Sequence, residues 1–100
     1  MAFEEHWSHR ANRDLKRIAD YHDAHDPDWT DRVVAAITEK LDSLLDNPYL
    51  SSVFDQTPFG EIREALAGNY RIFFVIHEED QVLDIRRIQH VRQQDPDFSE

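Results

Sequence analysis

Histidine is the side chain whose ordinary titration lies nearest neutral pH, and His90 stands two residues before Arg92 near the carboxy terminus. A proton carrier beside a fixed positive charge suits a reaction that develops an anion. Glu61 and Glu64 could serve as the base in place of a histidine. Arg71 lies in an apolar run with Phe73 and His77, and a strand there would put all three on one surface. Arg86 and Arg87 are adjacent, so a strand would place them on opposite sides, one of them exposed. His22 and His25, with Asp26 next in line, have the spacing of helical metal ligands. A lone i, i+3 pair with no third fixed ligand is ordinarily solvated, and so are His6 and His9, so no metal or cofactor is expected. Trp7 and Trp29 fall near helix starts and read as packing anchors rather than base-stacking platforms.

These residues need elements to hold them. Phe3 to Trp7 alternates in the manner of a short first strand. Ser8 can cap a helix, and Ala11, Leu15, Ile18, Ala19 and His22 then recur at three- and four-residue spacing. Arg10, Arg13, Asp14, Arg17 and Asp20 occupy the other, solvent side of that helix. Asp26-Pro27-Asp28 reads as an N-cap, a proline at the first helical position and an acid at the positive end of the dipole. Val33, Val34, Ile37, Leu41, Leu44 and Leu45 keep the second helix apolar on one face until Asn47-Pro48 ends it. So short a connection folds the two helices back as an antiparallel hairpin.

Residues 49 to 60 read as an irregular segment, with Pro58 and Gly60 inside it. The period then changes. Glu61 to Leu66 alternates weakly, Gly68-Asn69 punctuates, and Tyr70 to His77 is a strong strand. Its Tyr70, Ile72, Phe74 and Ile76 face is apolar and should meet the helices. Glu78 to Gln81 makes a polar turn, Val82 to Gln89 is the next strand, and the polar tail Arg92 to Glu100 should be short and loosely held. Helices followed by a meander of strands define the α+β class. The expected architecture is an amino-terminal strand and an antiparallel two-helix hairpin packed on a small antiparallel β-sheet.

Composition bounds the rest. One hundred residues are one domain's worth of chain, taken as residues 1–100. There is no cysteine, hence no disulfide and no thiolate metal site. No apolar run approaches the ~20 residues of a membrane span, and the start Met1 to His6 lacks the features of a signal peptide. A cytoplasmic protein without a membrane partner is therefore expected. Twenty-one acids face eleven bases, a net charge of −10, so any nucleic-acid contact must come from a local basic patch. Asp outnumbers Glu by 13 to 8 and Arg outnumbers Lys by 9 to 2. A salt-in, halophilic cytoplasm favours such a surface, and GC-biased codon usage in a mesophile produces the same bias.

Three short motifs, taken in order, carry a resemblance. They are Gly60-Glu61-Ile62-Arg63, then Tyr70-Arg71-Ile72-Phe73-Phe74, then His90-Val91-Arg92, preceded by Leu44 to Pro48 at the end of the hairpin. With the order strand, helical hairpin, meander, this resembles the RelE/ParE toxins of type II toxin–antitoxin systems over nearly the whole chain. The resemblance implies a cognate antitoxin as partner, with Arg86 or Arg87 able to contact it.

Two activities occur on this fold. RelE-like members are endoribonucleases that cleave mRNA on the ribosome and stop translation, whereas ParE-like members inhibit DNA gyrase. The first requires a base, an acid and cations around the phosphate. Arg63 and Arg71 look like the phosphate-holding arginines of the nuclease members, and with His90 and Arg92 they form the implied catalytic set. Two departures stand against it. The usual carboxy-terminal tyrosine is missing, with Val91 after His90, then Gln93, Gln94 and Asp95, and Phe98 as the nearest aromatic. The lysines that several relatives use before the second strand are also missing, since the chain has only Lys16 and Lys40. The expectation leans to the ribosome-dependent nuclease, with a gyrase inhibitor or an inactive antitoxin-binding relative as alternatives.

Overall fold

The computed structural model describes residues 2–58 and 60–98. The chain opens with β1 (Glu4–Trp7) and passes through Ser8 into α1 (His9–His25). The Ser8 hydroxyl accepts from the Ala11 amide at 3.1 Å and donates to the Arg86 carbonyl at 3.0 Å, so a single residue caps the helix and ties it to the sheet. Asp26 both ends α1 and caps α2 (Pro27–Asp46), with Pro27 in the first turn. Four strands follow: β2 (Ser52–Thr57), β3 (Gly60–Ala67), β4 (Tyr70–His77) and β5 (Val82–His90). No helix among the described residues is long and apolar enough to cross a membrane.

The sheet order is β1-β5-β4-β3-β2. Strands β2 to β5 form an antiparallel meander, while β1 lies parallel to β5, making the sheet mixed where an antiparallel one was expected. The hairpin covers one face. Val33, Ile37, Leu41 and Leu44 of α2 pack on Ala65, Ala67, Tyr70, Ile72, Phe74, Leu83, Ile85 and Ile88. A smaller cluster, Ile62, Phe73 and Val75 with Phe54 and Phe98, closes part of the other face.

Three expectations are corrected here. The segment 49–60 contains β2, an edge strand with an irregularity between Val53 and Asp55. The tail is held where described: Phe98 meets Phe54 and Phe73 at ring-centroid distances of 6.2 and 5.7 Å. Its Ser99 and Glu100 lie outside the described residues. Asp14 does not face solvent. Strand β1 pairs with β5 only as far as Ile85, and past that point the Asp14 carboxylate accepts the Ile88 amide at 3.0 Å and Arg87 Nε at 2.8 Å. A buried carboxylate thus replaces the missing strand partner, as a buried amide requires.

Candidate functional site

Arg63 and Arg71 lie on adjacent strands, three residues apart in the register, and point to opposite faces. Directly opposed residues of an antiparallel pair share a face. Arg63 pairs with Phe74, on the helix side, whereas Glu64 pairs with Phe73, on the far side where Arg71 also lies. Each arginine is closed into its own network. Arg63 donates to the Ser51 hydroxyl and carbonyl, both at 2.8 Å, and to Glu61 at 2.7 Å. Its guanidinium also lies 5.3 Å from the centre of the Tyr49 ring, whose hydroxyl donates to Glu78. That network staples the loop after α2 onto β3. The hydrogen bond from Arg63, helped by one from Gln56, holds the Glu61 carboxyl below the usual carboxylate range, which makes it a weak base.

Arg71 lies beside the paired Phe54 and Phe73 rings, 5.5 and 4.8 Å from their centres. It reaches Glu64 at 2.6 Å and Asp95 at 2.8 Å. Burial works to lower its pKa, but hydrogen bonds to Asp95 and Glu64 outweigh burial and raise it. Only 12 % of either arginine side chain is exposed, so a phosphate would have to displace a carboxylate already in place.

His90 belongs to a third place. It pairs with Tyr70 at the far end of the sheet and on the helix side. Arg63 is four residues further along and two strands across, roughly 13 Å by 10 Å from strand spacings. His90 Nδ1 accepts the Arg92 amide at 3.1 Å, which leaves Nε2 to carry the proton of a neutral ring. The ring stands edge-on to Tyr70 at 5.3 Å, and the Tyr70 hydroxyl bonds His22 Nε2 at 2.8 Å. Burial, then the nearby Tyr21, raises the pKa of Tyr70. Of the four sequence candidates, the fold brings together only His90 and Arg92.

His90 and Arg92 open onto a groove of about 780 Å3 between the hairpin and the β3–β4 turn. Ile18, Val33 and Ala36 line it, with Tyr21, Trp29, Arg17 and Arg32 also on its walls. Tyr21 is 59 % exposed and Trp29 43 %. The packing role expected for Trp29 is corrected: its contact is with Arg32, whose guanidinium lies 5.7 Å from the ring centre. Trp7 does pack against the core. His22 and His25 diverge, the second bonding the Tyr21 carbonyl at 2.7 Å. Histidines His6 and His77 instead flank Asp84, at 3.3 and 3.6 Å, on the opposite side of the sheet. The groove had one visible signal in the sequence, aromatic and basic residues crowding the two helix ends nearest the hairpin turn. What joins them to His90 is sheet register, which spacing does not reveal.

An α-helical hairpin laid over a five-stranded mixed sheet, with β1 parallel to β5, is the fold of the RelE/ParE superfamily of type II toxins. Residues 6–95 match the family described as ParE toxin of type II toxin–antitoxin system, parDE, and the chain belongs to that family. Solved structures with the same fold include the following two. One is the toxin–antitoxin complex RelBE2 from Mycobacterium tuberculosis, with TM-score 0.66, 19 % identity, 90 % of this chain and 99 % of that chain covered. The other is the chromosomal ParDE toxin–antitoxin system from P. aeruginosa, with TM-score 0.70, 18 % identity, 89 % of this chain and 96 % of that chain covered. No curated protein sequence matches the chain.

Proposed function

We propose that this toxin acts by binding a protein target, DNA gyrase, and that it does not cleave RNA. The observation that carries this reading is the separation of the three residues: Arg71 and His90 share one end of the sheet but point to opposite faces, and Arg63 lies mid-strand, four residues along and two strands across from His90. Phosphoryl-transfer chemistry on a 2′-oxygen needs base, acid and cations within hydrogen-bond reach of one phosphate. Here both arginines are neutralised by Glu61, Glu64 and Asp95. A binding inhibitor needs none of that assembly.

In the resting state a cognate antitoxin protein covers the chain. The two similar structures come from toxin–antitoxin systems. Leu50, Val53 and Leu66 are all more than 50 % exposed, and apolar surface left open in this way is what an interface covers. We read residues 1–100 as one toxin domain. The alternative, ribosome-dependent mRNA cleavage, keeps one supporting feature, the open groove at His90 and Arg92.

Induced expression without antitoxin, with pulse-labelling of DNA and protein synthesis, separates the readings. The reading expects DNA synthesis to fail first and a His90→Ala variant to remain toxic. Early collapse of translation, abolished by His90→Ala, would overturn it in favour of the nuclease. A folded product that alters neither process would overturn toxin action altogether.

A further inference from the structure

In a chain with ten more acids than bases, the cations nonetheless divide sharply. Lys16, Arg63, Arg71, Arg86 and Arg87 each hold an acid. Among the described residues, Arg10, Arg13, Arg17, Arg32, Lys40 and Arg92 make no ion pair. Arg10, Arg13 and Arg17, with Arg87 and Asp14, line a shallow cleft of about 230 Å3. Arg17 also lines the large groove, together with Arg32 and Arg92. Arg17 thus stands on the wall of both.

Local sequence enforces this. Helix neighbours lie three and four residues away, and those of Arg13 are His9, Arg10, Lys16 and Arg17. Asp14 is the acid within reach of Arg10 and Arg17, and it is held by Arg87 and the Ile88 amide. Asp20, three residues beyond Arg17, is held by Lys16. Residues 10, 13, 17 and 21 fall on one face of α1 at 3.6 residues per turn, spanning about 16 Å. Three unpaired guanidiniums thus lead to the exposed ring of Tyr21, with Trp29 on the same groove.

We propose that this stripe binds a single-stranded nucleic acid, with phosphates on Arg10, Arg13 and Arg17 and an unpaired base against Tyr21 and Trp29. Arginine forks match phosphate oxygens, and exposed aromatic rings accept any unstacked base. All five residues of the cleft are charged, which fits a backbone of phosphates better than a polypeptide, whose docking centres on apolar anchors. A duplex offers no free base to the rings. The net charge of −10 makes this a contact-range site rather than a long-range lure. The inference stands on α1 and the groove and is independent of the gyrase reading, because its test contains no gyrase.

Fluorescence anisotropy of labelled oligo(dT) and oligo(U), of about 12 nucleotides, would be followed against salt with the full chain. Saturable binding of at least one is expected, and preference for one assigns DNA or RNA. The triple variant Arg10→Gln, Arg13→Gln, Arg17→Gln should bind at least about tenfold more weakly, with a log–log salt slope shallower by about 2, from ~0.7 per phosphate contact on a single strand. Its fold is checked by far-UV circular dichroism, and the corresponding triple Lys variant should retain the slope. Tyr21→Ala should weaken binding without changing the slope. Absence of binding, an unaltered triple variant, or equal binding of a duplex would overturn the proposal. Equal competition by polyglutamate of matched charge would overturn it in favour of an acidic polypeptide.

Discussion

Replacing Asp14 by alanine should be among the most damaging single substitutions on the helix α1, although sequence spacing puts the residue on the solvent side. Its carboxylate accepts from Arg87 Nε at 2.8 Å, Arg87 Nη2 at 3.3 Å and the Ile88 amide at 3.0 Å. The side chains of Asp14 and Arg87 are 10 % and 15 % exposed. Removing one partner of a buried pair costs about 3–5 kcal/mol, and an orphaned buried amide costs about 1–3 kcal/mol. Arg87 keeps some compensation, because the Gln89 side-chain oxygen can accept from it at 3.2 Å. The lower end applies, about 3 kcal/mol in all. At 4–8 °C per kcal/mol for a chain of this size, the melting temperature should fall by roughly 12–24 °C. Asp14→Asn keeps an acceptor for the Ile88 amide and should lose about half as much. The assay is thermal and urea denaturation of the parent, Asp14→Ala, Asp14→Asn, Arg87→Met and the Asp14→Ala, Arg87→Met double variant. In the double variant the stranded cation is gone, so the two losses should be less than additive by about 1–3 kcal/mol. A shift below about 4 °C for Asp14→Ala, or strict additivity in the double variant, would refute the account of Asp14 as the clasp between α1 and the free edge of β5.

Three other outcomes test the frame around the groove. Leu44 of α2 is fully buried, and Leu44→Ala should cost about 2–5 kcal/mol, read as a lower urea midpoint with an unchanged slope. Gly68 has φ +60° with nothing within 4 Å of an added Cβ, so Gly68→Ala should cost only the left-handed backbone term, about 1 kcal/mol. A cost above about 3 kcal/mol would mean that the β3–β4 turn is more crowded than its geometry indicates. Glu61 is held below its ordinary pKa by Arg63 and then Gln56. A depressed carboxyl stabilises the fold above its unfolded pKa, near 4.3, and that contribution disappears as pH falls through the lower folded value. Glu61→Gln should therefore flatten the loss of stability below about pH 5, and an unchanged acid limb would contradict the Arg63–Glu61 link.

Much of the fold was legible because its strongest segments are locally consistent. Tyr70–His77 was legible to the residue, since alternation, the Gly68-Asn69 break and the acidic turn at Glu78 all bound the same strand. The hairpin was legible from Ser8, Asp26, Pro27 and Asn47. Strand β2 was hidden because an edge strand needs little apolar alternation; Ser52-Val53-Phe54-Asp55-Gln56-Thr57 buries no residue fully and is irregular at its centre. The direction of β1 has no period to read, since parallel and antiparallel partners demand the same two-residue alternation. For the candidate site, alternation correctly put Arg71 on the face of Phe73. What closes that arginine, Asp95 and Glu64, lies 24 residues downstream and on the next strand. Motif order singled out these positions and left open which carboxylates already held them.

The unpaired arginines make a stability argument of their own, distinct from binding. At Arg13 the cations Arg10, Lys16 and Arg17 stand at three- and four-residue spacing, and like charges so placed each destabilise a helix by about 0.2–0.5 kcal/mol. Arg13→Glu converts three repulsions into three attractions without touching the core, because Arg13 is exposed. The gain should be roughly 1–3 kcal/mol at low salt, or about 4–24 °C in melting temperature, and it should shrink as salt screens the pairs. A residue kept for the fold would behave in the opposite way. If Arg13→Glu lowers the melting temperature of the ligand-free protein, Arg13 holds a contact that its open position conceals, and the stripe is part of the scaffold. If it raises the melting temperature, as expected, the parent carries a cationic row that weakens its own helix. Such a row is the surface a polyanion would stabilise by neutralising it.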